Sequence, residues 1–226
     1  MTDRLILTLG ILGGTGKEGR GLAGRWAKAG YHVIIGSRSI DKALESARDV
    51  NGHLGSESVR GMINEEAART CDIAVLTVPF TAHAATLQAL REPLQGKVVV
   101  DVTVPVIPPD VTVVRPPGAG SAAQEAQLIL GPKVQVVSAF QNVSHTHLAG
   151  DHPVPCDVLV SGDSQAARDQ VLHLVSAAGL VGWDAGALPN SIAAEALTAV
   201  LVGINKRYKI SGAGIRITGE PKPSGG

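Results

Sequence analysis

Apolar residues run in short unbroken blocks along this chain. Between the blocks, alanine-rich stretches repeat apolar positions at three- and four-residue spacing. The blocks predict strands over residues 4–12, 31–36, 72–78, 97–102, 134–140, 156–161 and 180–184. The stretches between predict helices over 17–29, 40–50, 64–70, 81–91, 121–130 and 164–178, with a long last helix over 188–207. Runs such as 73–78 (IAVLTV) show no alternation, as expected of strands covered on both faces of a parallel sheet. Strand–helix alternation with short links predicts an α/β fold of Rossmann type: a doubly wound parallel sheet, a small C-terminal extension and the long last helix.

The pattern loosens at Pro105, Pro108, Pro109, Pro116 and Pro117, and 141–155 reads as an irregular loop. The 226 residues suit one nucleotide-binding domain over 1–140, a small C-terminal part over 141–219 and a flexible tail over 220–226.

The first strand runs into Gly14-Thr15-Gly16-Lys17-Glu18-Gly19, which fits G-x-G-x-x-G. The first glycine allows a tight turn, the second lets the backbone approach a pyrophosphate, and the third lets helix pack on strand. The helix start then offers free N–H groups to phosphate. The strand before and the helix and second strand after make this signal specific for a dinucleotide. A P-loop is excluded: Ile11 stands at its first glycine and Glu18 at its Ser/Thr.

The second strand ends Gly36-Ser37-Arg38-Ser39, where an NAD site carries an acid for the ribose 2′-hydroxyl. Arg38 can pair with a 2′-phosphate, Ser37 can hydrogen-bond it, and Lys42 adds a point charge one turn later. The expected cofactor is NADP(H).

Composition narrows the rest. Lys+Arg and Asp+Glu both total 20, and aromatics are 3%, so nothing pulls the chain to nucleic acid or a membrane surface. No apolar stretch is expected to approach the ~20 residues of a membrane span. Cys71 and Cys156 are isolated, as in reduced thiols of a cytoplasmic protein. His145, His147 and His152 lack a companion carboxylate or thiol at metal-ligand spacing, so no metal is expected. Glu195, in the apolar last helix, is expected to be paired or at an interface. Asn190 and Ser191 are expected to cap that helix.

The chain resembles the F420-dependent NADP oxidoreductase family (NADPH-dependent F420 reductases). The matching stretches are 12–16 (LGGTG), 33–38 (VIIGSR), 71–79 (CDIAVLTVP), 153–157 (PVPCD), 184–191 (DAGALPNS), 197–200 (LTAV) and 212–216 (GAGIR). The resemblance implies direct hydride transfer between NADP(H) and coenzyme F420, at the deazaflavin C5. It places NADP contacts at Thr15, Ser37, Arg38, Lys42, Val78 and Phe80, with the neighbouring Thr77 and Pro79. It places the deazaflavin over the nicotinamide, near the loop that begins Gln141, Asn142, Val143, and near Gly212, Ala213 and Gly214; His145 can line the nicotinamide pocket as a neighbour. It also implies a homodimer that uses the last helix. Lys206, Arg207, Lys209 and Arg216 are candidates to receive the anionic tail of F420. A cation-decorated helix C-terminus would look the same. Gln141 stands where the family often carries histidine, and keeps hydrogen bonding without a titratable group. Two other functions remain open: an NADPH-dependent flavin or metal-chelate reductase on this fold, and a non-catalytic NADP-sensing module.

Overall fold

A computed structural model describes residues 6–150 and 152–219. Eight strands form one sheet in the order β3-β2-β1-β4-β5-β6-β7-β8. They are β1 (Thr8–Leu12), β2 (His32–Ser37), β3 (Val59–Ile63), β4 (Ile73–Leu76), β5 (Val98–Asp101), β6 (Gln135–Ser138), β7 (Asp157–Gly162) and β8 (Val181–Asp184). The helices are α1 (Lys17–Lys28), α2 (Ile40–Leu54), α3 (Asn64–Thr70), α4 (Phe80–Leu90), α5 (Ala122–Leu130), α6 (His145–Leu148), α7 (Gln165–Ala177) and α8 (Ser191–Tyr208). The expected tail at 220–226 lies outside the described residues, as do the first two residues of the expected strand over 4–12.

β1 to β6 pair in parallel. The central strands β1 and β4 are almost wholly buried, in keeping with their unbroken apolar sequence. The fully parallel expectation needs one correction. β7 runs antiparallel to β6, with Ser138 opposite Ser161, and β8 then runs parallel to β7. No long helix crosses over between β6 and β7, so the chain turns back instead.

Two elements were not legible. β3 is an edge strand interrupted by Arg60 and Gly61, so it has no apolar run. A side chain at Gly61 would meet the Ala43 backbone at 2.5–2.6 Å, so glycine lets α2 lie directly on the sheet. The short α6 falls inside the stretch expected to be irregular, with Ser144 Oγ accepting the Thr146 N–H.

One buried cluster fills each face of the sheet. Trp26, Leu9, Ile11, Val75 and Phe140 occupy one, and Leu12, Leu76, Leu87, Leu94 and Leu130 the other. The last helix departs from expectation. Leu188–Tyr208 is long and apolar enough, by length and composition, to pass for a membrane span. In the fold it packs on α5 and β7, and its Glu195 and Thr198 bond to neighbouring elements.

A candidate two-ligand cleft

The carboxyl ends of β1, β2, β4, β5 and β6 open into a cleft of about 1140 Å³. That exceeds the roughly 300–1,000 Å³ of a typical single-ligand pocket. One wall comes from the segment Gly13 to Val106. The other comes from Gln141 to His145, α8 and Ala213.

The glycine loop is built as its spacing predicts. Side chains at Gly14 and Gly19 would meet backbone at 2.7 Å and 2.6 Å, so both glycines are packing requirements. A side chain at Gly16 would meet nothing within 4 Å. Gly16 faces the open cleft, where a diphosphate needs the backbone bare. The loop is pinned from below: the Gly14 N–H donates to the Gly36 carbonyl at 3.0 Å and the Gly13 N–H to Asn64 Oδ1 at 3.1 Å.

Lys17, Arg38 and Lys42 line the same cleft and are exposed, with no side-chain partner among the described residues. Ser37 is buried and its hydroxyl accepts the Ser39 N–H. A free guanidinium just after β2 and a free ammonium in the first turn of α2 suit a dianionic phosphate. The residues present therefore fit a dinucleotide carrying a 2′-phosphate.

At the far end, Phe140 adopts φ +74°, a left-handed conformation rare for a bulky residue. This turn delivers Gln141 and Asn142 to the cleft. Gln141 Nε2 donates to the Asp101 carbonyl at 2.7 Å, and the Gln141 carbonyl accepts the Thr198 hydroxyl at 2.8 Å. Gln141 Oε1 is buried and has no partner among the described residues. Asn142 Nδ2 donates to the Ala194 carbonyl at 2.7 Å, tying the loop to α8.

Behind this end lies a buried histidine–aspartate pair. His83 Nε2 is 2.7 Å from Asp101 Oδ2, and neither side chain is exposed. Burial pushes His83 down, but the hydrogen bond and charge of Asp101 outweigh it and leave His83 raised. Phe80 stacks on His83 at 5.9 Å and lines the cleft.

Of the residues singled out in the sequence, the cleft gathers Thr15, Gly16, Lys17, Glu18, Gly19, Ser37, Arg38, Lys42, Thr77, Val78, Pro79, Phe80, Gln141, Asn142, Val143, His145 and Ala213. Gly14 supports the loop from behind. Lys206 and Arg207 lie exposed beyond the lining, at the C-terminus of α8. Gly212 also lies outside it, and its carbonyl contacts His147 Nε2 at 2.7 Å. Among the described residues no group of three potential ligands could hold a metal.

Sequence reasoning missed Asn64, Thr103, Thr198 and Asn205, which line the cleft, and the Asp101–His83 pair behind it. An acid ending the apolar run of β5 was the one readable signal for Asp101.

The family described as NADP oxidoreductase, coenzyme F420-dependent, matches residues 8–105. An F420-dependent NADP reductase of Methanocaldococcus jannaschii is 40% identical over 221 residues, spanning 94% of this chain and 98% of the relative. That of Methanothermobacter thermautotrophicus is 37% identical over 230 residues, spanning 98% of this chain and 99% of the relative. A crystal structure from Arthrobacter sp. FB24, provisionally described as an F420-dependent NADP-reductase, shares the fold with TM-score 0.79 at 23% identity. It covers 94% of this chain and 99% of its own. With near-complete coverage at this identity, the chain belongs to the F420-dependent NADP reductase family.

Proposed function

We propose that this protein is an oxidoreductase that moves a hydride directly between NADP(H) and coenzyme F420. One observation carries the reading: the glycine loop with its free cations and the Gln141–His145 wall open into a single space. Two large ligands can therefore meet end to end in one cleft. Residues 1–140 hold the dinucleotide, and 141–219 complete the second site.

The diphosphate lies over Gly16 and the start of α1, and the 2′-phosphate meets Arg38, Ser37 and Lys42. Val78, Pro79 and Phe80 guide the dinucleotide toward Gln141. The nicotinamide and the deazaflavin supply the redox chemistry, so the protein's contribution is alignment and exclusion of water. No acid–base residue is required to break a substrate bond. The F420 tail passes Asn205 and Ala213 toward Lys206 and Arg207.

Mixing the protein with NADPH and F420 and following deazaflavin absorbance tests the reading. Loss of that absorbance, dependent on NADPH, is expected. A second reading, reduction of a flavin or metal chelate, is favoured by a match to the rat metalloreductase STEAP3. That match is 30% identical over 190 residues and spans 84% of this chain but 36% of the relative. Turnover with FMN or FAD but none with F420 selects it. Tight NADPH binding without turnover on any acceptor selects an NADP-sensing module.

The same reading makes the protein a cytoplasmic homodimer. Both cysteines are free and buried, and Ile192 and Val200 leave an exposed apolar stripe on α8 suited to a second copy.

A further inference from the structure

Glu18 is the one acid among the residues lining the cleft. It lies in the first turn of α1, and its face of the helix is fixed by its neighbours. A side chain at Gly21, three residues on, would meet Leu148 Cβ at 2.7 Å. Arg25, seven residues on, donates to the carbonyls of His147, Leu148, Gly150 and His152. Glu18 therefore looks along the same face toward the Val143–His145 wall, between the diphosphate loop and the Gln141 end. No hydrogen bond or ion pair engages its side chain among the described residues.

The N-terminus of α1 favours its ionised form, but no charged side chain pairs with it among the described residues. From its own helix come Lys17 and Arg20, the latter paired with Asp49. From the end of β2 and the start of α2 come Arg38 and Lys42, neither of which pairs with Glu18. From α6 comes His145. Protein encloses Glu18 closely enough that burial pushes its carboxyl up to about 8. Its side chain is partly buried yet lines the open cleft, so it can exchange a proton with water. The ligand proposed for this cleft carries a diphosphate and a 2′-phosphate, so an ionised Glu18 would face several negative charges at close range.

Resting on the NADP(H) reading above, we infer that Glu18 is a proton-coupled cofactor-binding residue: the cleft binds NADP(H) with Glu18 as a neutral carboxylic acid and takes up a proton when it was ionised beforehand. The neutral acid can donate its O–H to a polar group of the cofactor, as a carboxamide would. The proton comes from solvent, and no other bond changes.

The test is calorimetric titration of the whole protein with NADP+ in two buffers of different ionisation enthalpy, between pH 7.5 and 9. The 2′-phosphate is already a dianion there, so its own titration does not intrude. Wild type is expected to take up about half a proton at pH 8, with Kd rising about fivefold from pH 8 to 9. Glu18→Gln is expected to take up none, and its Kd should not change between pH 8 and 9. Carbon-13 NMR of wild type labelled at the glutamate carboxyls gives a check that needs no variant. One resonance titrating near pH 8 should leave that range when NADP+ is added. NADP+ binding without proton uptake, uptake unchanged in Glu18→Gln, or no such resonance overturns the inference alone. No NADP+ binding at all overturns the cofactor reading with it.

Discussion

His83 Nε2 and Asp101 Oδ2 meet at 2.7 Å in the protein interior, directly beneath the Gln141 end of the cleft. Asp101 organises three neighbours at once. Its carboxylate holds His83 and accepts the Thr103 N–H, while its carbonyl accepts from Gln141. Breaking a buried ionic pair from one side strands the other group. Asp101→Ala is therefore expected to cost about 3–5 kcal/mol in urea denaturation. The double variant His83→Leu/Asp101→Leu should cost less than Asp101→Ala, because no stranded charge remains. Equal costs would show that packing, not the stranded charge, sets the loss. The raised pKa of His83 adds a pH signature. Its contribution is complete below the unfolded value near 6.5 and fades as pH rises through the higher folded value. The melting gap between wild type and His83→Leu should thus be widest below pH 6.5.

Gly19 and Gly16 of the loop have separable roles. Gly19→Ala puts a methyl 2.6 Å from the Gly14 backbone and should destabilise the fold by about 1–3 kcal/mol. Gly16 has φ −73°, which alanine adopts freely, and open space around it. Gly16→Ala should melt within about 0.5 kcal/mol of wild type. It should nevertheless bind NADP+ at least about tenfold more weakly, since the methyl lies where the diphosphate approaches. Thermal melts paired with NADP+ titrations check both. A Gly16→Ala variant with wild-type affinity would move the diphosphate off this loop.

Arg38, just after β2, and Lys42, in the first turn of α2, are exposed, and neither guanidinium nor ammonium is engaged among the described residues. Removing a charge-assisted contact costs ~1.5–3 kcal/mol, so Arg38→Ala should weaken NADPH binding about 10–100-fold. NADH, which lacks the 2′-phosphate, should be affected no more than about twofold. Fluorescence titration of both nucleotides reads the difference.

The dinucleotide half of the cleft was legible because it is local. The glycine spacing, the strand before it and the Ser37-Arg38 ending all fall within the first 40 residues. The second half came only through the family resemblance, because its contacts join distant segments. His83 reaches Asp101 across 18 residues, Gln141 reaches Asp101 across 40 and Asn142 reaches Ala194 across 52. Arg25, in the last turn of α1, likewise organises carbonyls 122 to 153 residues away. The antiparallel turn at β7 was hidden for a related reason. Periodicity marks a strand, but its direction depends on how the intervening loop crosses the sheet.

Glu195 shows how a buried acid can be structural. Its two oxygens accept the N–H groups of Ala122 at 2.6 Å and Ala123 at 3.1 Å, so α8 caps α5 from across the fold. Ser121 completes the cap by accepting the Gln124 N–H and the Ser191 hydroxyl. Burial pushes the Glu195 carboxyl up to about 7 despite those two donors. An acid raised in the folded state stabilises most below its unfolded value, near 4.5, and that stability drains away as pH climbs toward 7. Glu195→Gln keeps one acceptor and cannot ionise, so it should lack this slope. Relative to wild type it should gain up to about 3 kcal/mol between pH 4.5 and 8. Glu195→Ala removes both acceptors and should lose about 2 kcal/mol or more at pH 5, where the wild-type carboxyl carries the least burial penalty. Parallel urea curves at pH 5, 6.5 and 8 separate the two effects. A Glu195→Gln curve that tracks wild type across that range would mean the carboxyl stays ionised throughout, held by its two backbone donors more firmly than burial opposes.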